Sequence, residues 1–450
     1  MFSYQVETLK SGLKVIRVPM AGLKSVTALI LVNTGSRYEN EDQEGMAHCL
    51  EHLVFKGTKN YPDQKQIAVL LDRIGADSNA FTSKEYTGYY ATAASDHLTQ
   101  ILEILKDLLF YPRLCSADLE QEKQVIIEEI KMYHDNPIHH IGHAFEQLVY
   151  QGTGLAHDIS GSQETISQFQ PQDLRQFLNS WYGLGNMVLV LAGDETKLAQ
   201  DKSLEQVSQI FQDQPQERTN SYRIKLERYL SRNPISNQQL VVEKRATAQA
   251  SLVMGWPGIE RQDPRRYALS VLNTIVGGNR SSRLFQTVRE EMGLAYYVYS
   301  DVDQYHDAGI FGAEAGVSPE AAGKAIKAIK QVFVDLAEGQ RPVTKEEINQ
   351  AKEYLAGRMV LGLESSQAVA RYFGLKELLL NEIEDPDIVL DKMRAVTQEQ
   401  VQELAAGLIK PGQLRLAVIG PFADKQIVEA TGKESSQESG AEKLFHDLVK

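Results

Sequence analysis

Two distant stretches of the chain end in the same way. A helical pattern from Thr397-Gln-Glu-Gln-Val-Gln-Glu-Leu404 runs into the apolar strand Leu414-Arg-Leu-Ala-Val-Ile419-Gly420. A helical pattern over 172–182 runs likewise into Met187-Val-Leu-Val-Leu-Ala192-Gly193-Asp194. The order of elements before them also recurs. Residues 3–19 read as two strands about Lys10-Ser11-Gly12, followed by strands at 25–33, 78–83 and 85–90 and helices at 95–110, 116–134, 138–150 and 195–212. The second half offers strands at 238–244, 248–256, 296–303 and 308–317, with helices at 263–276, 318–337, 344–360 and 365–380. Two units of similar order read as an ancient duplication. The expected fold class is therefore α+β: two half-domains, each an antiparallel-rich sheet flanked by helices. A chain of 450 residues exceeds one ordinary core. The expected division is a first domain over 1–215, a polar linker over 216–236, a second domain over 237–430 and a polar tail over 431–450, whose first part is rich in Ser, Glu and Gly.

One feature is not duplicated. His48-Cys49-Leu50-Glu51-His52 lies in an apolar-periodic run from Glu44 to the glycine stop at Gly57. On a helix, His48 and His52 are one turn apart and roughly 40° apart around the axis. Two imidazoles so placed can grip one metal ion, and Glu51 can reach a water beside it without being a ligand. H-x-x-E-H reverses the commoner H-E-x-x-H and is the inverzincin signature. Catalytic zinc takes three protein ligands and keeps one position open, so a further ligand must come from elsewhere. The helix starting at Ser116 is the natural donor. Its Glu122 and Glu129 are seven apart and share a face, and Glu128 adjoins them; periodicity does not choose among these. His139 and His143 are also i, i+4, but they follow a proline break and have no evident base. Cys49 points about 100° away from His48 and reads as packing. With Cys115 as the other cysteine, a disulfide scaffold is excluded and a reducing, cytoplasmic compartment is expected. The start carries neither a basic nor an apolar signal region, and there is no apolar run of about eighteen residues, so no membrane span is expected. A net charge of -13 disfavours nucleic acid as a partner.

His48-Cys-Leu-Glu51-His52, followed by Glu122-Lys-Gln-Val-Ile-Ile-Glu128-Glu129, resembles the pitrilysin (M16) family of zinc peptidases, and in size most resembles its bacterial branch akin to mitochondrial processing peptidase. Asn79-Ala80-Phe81-Thr82 is similar to that family's substrate-binding edge strand. Arg289-Glu-Glu-Met-Gly-Leu-Ala-Tyr296 is similar to its Arg…Tyr motif. Cys49 departs from the bulky apolar residue usual there, without consequence for the metal. The resemblance implies the processing-peptidase/LuxS-like metallohydrolase fold. It implies one Zn2+ per chain on His48, His52 and Glu129, with Glu51 as general base and Glu122 supporting a ligand. It also implies Arg289 and Tyr296 as catalytic groups, extended peptides docking on Asn79–Thr82, and a homodimer whose chamber both protomers complete. The expected activity is zinc-dependent endopeptidase or oligopeptidase. The alternatives are a catalytically silent assembly subunit of the same fold and an active subunit that needs a different partner chain.

Overall fold

Strands buried on both faces lose the alternation of a half-exposed strand, and this sets the layering here. The computed structural model describes residues 2–212, 215, 230, 235–422 and 440–449. Strands β1 (Gln5–Thr8), β2 (Lys14–Met20), β3 (Ser25–Val32), β4 (Asp77–Thr82), β5 (Thr87–Ala94) and β6 (Met187–Asp194) form one sheet in the order β1-β2-β6-β3-β5-β4. In β3, Val26, Ala28, Ile30 and Val32 enter one core, while Leu29 and Leu31 enter another on the opposite face. In β6, Leu189 and Leu191 divide in the same way from Val188 and Val190.

The helices in chain order begin with α1 (Met46–Val54), α2 (Gln64–Arg73), α3 (Leu98–Phe110), α4 (Ser116–Asp135) and α5 (Pro137–Tyr150). Next come α6 (Gln163–Gln168), α7 (Pro171–Trp181), α8 (Glu195–Leu198), α9 (Asp201–Ile210) and α10 (Arg266–Val276). The chain continues with α11 (Ala322–Ala337), α12 (Lys345–Gly362), α13 (Ser366–Leu380), α14 (Pro386–Ala395), α15 (Gln398–Leu408) and α16 (Gly440–Val449). The second sheet holds β7 (Leu240–Lys244), β8 (Ala250–Pro257), β9 (Ala295–Gln304), β10 (Gly309–Val317) and β11 (Arg415–Gly420), in the order β7-β11-β8-β10-β9. Without β1, the two sheets have the same topology. A parallel pair, β2 with β6 or β7 with β11, is extended by three antiparallel neighbours, ending on β4 or β9. The duplication read from element order is thus a duplication of strand connectivity.

The chain forms two compact units: Met1–Lys131 with His157–Tyr229 and Met359–Asp387, and Met132–Ala156 with Leu230–Arg358 and Ile388–Lys450. This differs from the expected contiguous division at 216–236 in two segments. In the first unit, α13 covers the sheet face away from α1 and α3, burying Val369, Ala370, Phe373 and Leu378 against β2, β3 and β6. Burying Phe373 alone is worth ~1.5–3 kcal/mol. In the second unit, α5 plays the same part, burying Ile141, Phe145, Leu148 and Val149 against β8 and β11. Each sheet therefore takes one of its walls from the other half of the sequence.

Two other expectations are corrected. The helix expected over 195–212 is broken into α8 and α9, because the buried Arg17 guanidinium donates to the carbonyls of Leu198 (3.2 Å) and Gln200 (2.9 Å) at the break. Of the expected polar tail, residues 440–449 are α16, whose Phe445, Leu448 and Val449 share one helical face and are buried in the second core. Residues 431–439, and 216–229 and 231–234 of the expected linker, lie outside the described residues. No helix among the described residues is long and apolar enough to cross a membrane.

Candidate metal centre

Helix α1 is pinned at its start before it offers any chemistry. Gly45, at its N-cap, has φ +89°, and a Cβ there would lie 2.6 Å from the Ser160 carbonyl oxygen. Only glycine combines that backbone with that approach. Gly45 has no side chain to cap the helix, and the buried Glu39 carboxylate takes over, accepting from the N–H groups of Gly45 (2.8 Å) and Ala47 (2.7 Å). Burial pushes the Glu39 carboxyl up to about 8, against the pull of those two N–H donors. Met46, Ala47, Cys49, Leu50, Leu53 and Val54 fill the first core. Burial, aided by the Glu122 charge, pushes the Cys49 thiol up to about 12, so this cysteine packs and does not react.

His48 and His52 have ring centroids 4.6 Å apart. Their Nε2 atoms lie 3.8 and 3.5 Å from Glu129 Oε2, which arrives on α4. Ligand-capable atoms of the three residues all fall within 4.8 Å of one another. Tetrahedral zinc with bonds of about 2.0–2.1 Å separates its ligands by roughly 3.3–3.4 Å, and the two histidine-to-Glu129 separations lie close to that spacing, so the donor set fits the ion. His48 is pushed down to about 4, first by burial and then by the His52 charge, and stays neutral as a ligand must. Burial also acts against charge on His52, but the Glu122 hydrogen bond and the carboxylates of Glu129, Glu122 and Glu51 outweigh it and raise that imidazole. His52 Nδ1 lies 3.0 Å from Glu122 Oε2. Glu122 is itself buried and paired with Lys56. Burial works against its ionisation, yet the bonds from His52 and Lys56 hold its carboxyl below the usual range. Glu122 therefore fixes which His52 nitrogen faces Glu129. Glu128 points away, exposed and 2.8 Å from Lys131.

Glu51 is held by the edge strand of its sheet. Its Oε2 accepts from Thr82 Oγ1, at the end of edge strand β4. Burial raises the Glu51 carboxyl, while the Thr82 bond and the His52 charge draw it down. The same strand carries Asn79, Ala80 and Phe81, and its other edge pairs with β5 in register from Asp77↔Thr92 to Thr82↔Thr87.

Arg289 and Tyr296 belong to the second unit. Arg289 lies in a π-helical turn, Phe285–Glu291, with its guanidinium 4.8 Å from the Phe285 ring centroid. Tyr296, near the start of β9, is 74% exposed. The histidines after α4 form no comparable site. His140 Nε2 meets both Glu243 carboxylate oxygens at 2.9 Å, and His134 meets Arg245. Among the described residues, His48, His52 and Glu129 are the one group of three with metal-binding geometry. Sequence reasoning missed Glu39 and Lys56. Lys56 had a signal, since it follows His52 by one helical turn; Glu39 lies between two short 3-10 turns, Ser36–Tyr38 and Glu41–Gln43, outside the helix it caps, and had none.

Comparison with known proteins bears on this arrangement. Residues 17–163 match the family described as "Insulinase (Peptidase family M16)", and residues 168–355 match "Peptidase M16 inactive domain". His48, Glu51, His52, Glu122 and Glu129 all fall in the first span; the second covers the half without H-x-x-E-H. The chain is 33% identical over 414 residues to "Uncharacterized zinc protease YmxG" of Bacillus subtilis, covering 92% of this chain and 97% of that protein. It is 33% identical to "Uncharacterized zinc protease SCO5738" of Streptomyces coelicolor, covering 93% and 90%. The fold is similar to that of a protease from Helicobacter pylori, with a TM-score of 0.82 and 24% identity over 94% of this chain and all of that one. A peptidase M16 inactive domain from Pseudomonas fluorescens gives the same score at 21% identity, covering 94% and 98%. With both halves matched in order and both expected M16 segments present, the chain belongs to the M16 peptidase family.

Proposed function

We propose that this protein is a zinc-dependent endopeptidase or oligopeptidase acting on extended peptides. The observation that carries the reading is Glu129, brought from α4 to the Nε2 atoms of two histidines on α1. His48, His52 and Glu129 would hold the ion. When bound, zinc supplies Lewis-acid polarisation of a peptide carbonyl and makes water more acidic. Glu51, beside the ligands and raised by burial, accepts the proton of the attacking water and delivers it to the departing amine. Thr82 ties that carboxylate to the strand on which substrate lies. The free edge of β4 takes up a peptide by main-chain hydrogen bonds, which favours unfolded segments over folded ones. Cleavage of a quenched peptide by the purified chain, abolished by chelation and restored by zinc, tests the reading. Zinc binding with no cleavage of any peptide would favour a silent assembly subunit, and activity only with a second, different chain would favour a heteromeric enzyme.

Glu122→Gln should weaken zinc ~10–100-fold in a chelator competition, because the His52 ring loses the carboxylate that orients it. Unchanged affinity would reduce Glu122 to a packing group.

The protein acts as a homodimer in this reading, with Arg289 and Tyr296 of one protomer serving the metal centre of the other, Tyr296 donating to the developing oxyanion. The high exposure of Tyr296 supports this. Mixing Glu51→Gln protein with Tyr296→Phe protein should restore part of the activity that each has lost. If subunits exchange and no activity returns, sharing in trans is wrong.

A further inference from the structure

Resting on the reading of β4 as the peptide-docking edge, we infer that Arg371 selects an acidic residue next to the residue paired with Thr82. Side chains of β4 alternate between two faces. Ala80 packs into the core on the α1 side, and Thr82 bonds Glu51 on that side. Phe81 points to the other face, partly buried against the core that α13 covers. There Gly88 gives its ring room: a Cβ on Gly88 would stand 2.2 Å from Phe81 Cζ. The ring thus leans inward over β5, away from the free edge. Arg371, on α13, places its guanidinium 4.9 Å from the centroid of that ring. The aromatic face holds the cation in place, and the guanidinium carries five N–H donors. Arg371 is exposed and has no carboxylate partner among the described residues.

A peptide strand added to β4 lies about 4.8 Å from it, and the residue opposite Phe81 has its Cβ about 4.5–5.5 Å from the Phe81 Cβ. That residue's side chain rises on the Arg371 face, where a glutamate or aspartate meets the guanidinium in a bidentate pair and a lysine is repelled. The next residue along, opposite Thr82, points to the metal face. The acidic preference therefore falls at one position adjoining the residue that enters the metal centre. Asp77 is on the Arg371 face of β4 but about 13 Å further along the strand, too far to neutralise Arg371. The chain as a whole carries a net charge of -13 and repels acidic peptides at long range, so selection is for one local carboxylate in an otherwise neutral or basic segment.

The test uses the zinc-loaded protein and fluorogenic decapeptides in which each position in turn is Glu, Gln or Lys. Wild type should cleave the Glu peptide about fivefold better than the Lys peptide at one position within two residues of the scissile bond. The difference should lie mainly in KM and shrink at high salt. Arg371→Glu should invert the order, and Arg371→Met, which keeps packing over Phe81, should flatten it. Peptides N-methylated at alternate amides separate the two layers. If N-methylation impairs cleavage while Arg371→Glu leaves the Glu preference intact, the role of Arg371 is overturned and edge docking stands. If N-methylation at every position is harmless, edge docking falls, and this role with it.

Discussion

Glu51→Gln protein is expected to bind one equivalent of zinc like wild type and to cleave peptides ~10²–10⁴-fold more slowly, the usual contribution of a positioned general base. The two effects separate because Glu51 is not among the three clustered ligands. A glutamine there still accepts from Thr82 Oγ1, so β4 and α1 keep their contact. What it lacks is the capacity to take a proton from water and return it to the amine. The measurement is a metal stoichiometry on the same preparation as a single-turnover peptide assay. Equal rates in mutant and wild type would remove Glu51 from the chemistry, and zinc loss in the mutant would show that it supports the ion instead.

The second large effect concerns two adjacent glutamates. Glu129→Gln should lose zinc affinity by more than ~100-fold, beyond the range expected when only a supporting residue is changed, and lose activity in parallel. Glu128→Gln should do neither. Glu128 is exposed and paired only with Lys131, an i, i+3 contact worth a few tenths of a kcal/mol at most. Equilibrium dialysis of the two variants side by side makes each the control for the other. Comparable zinc loss in both would mean that α4 turns on binding the metal and that a different oxygen completes the set.

What could be read in the sequence was what local periodicity carries. The helix of His48 and His52, the long helix bearing Glu122 and Glu129, and the strands bearing apolar runs each follow from neighbours three, four or two residues apart. The seven-residue spacing placed Glu122 and Glu129 on one face but did not say which closes on the histidine Nε2 atoms. The structure uses both: Glu129 faces the Nε2 atoms, and Glu122 holds the far nitrogen of His52. The choice depends on how α4 lies against α1, and no local pattern encodes that. Glu39 is the sharper case. Its role as the missing cap of α1 depends on a turn that brings the Glu39 side chain, nine residues before His48, back onto the helix start. The break between α8 and α9 is similar, since it is set by Arg17, which reaches it from β2. Helix α16 was hidden for another reason. The polar stretch before it dominates the composition of 431–450 and masks three apolar residues on one face.

The traded walls, α5 and α13, reach into the history of the molecule. Each follows a long helix, α4 or α12, at the same place in its half, and each then covers the sheet written in the opposite half. An ancestor half as long, obeying the same rule, had no wall of its own for that side of its sheet. It could be completed only by a twin, each copy lending the other a helix, as in a domain-swapped pair. Within one chain the exchange is internal to the molecule, and the H-x-x-E-H residues stand in the first half alone.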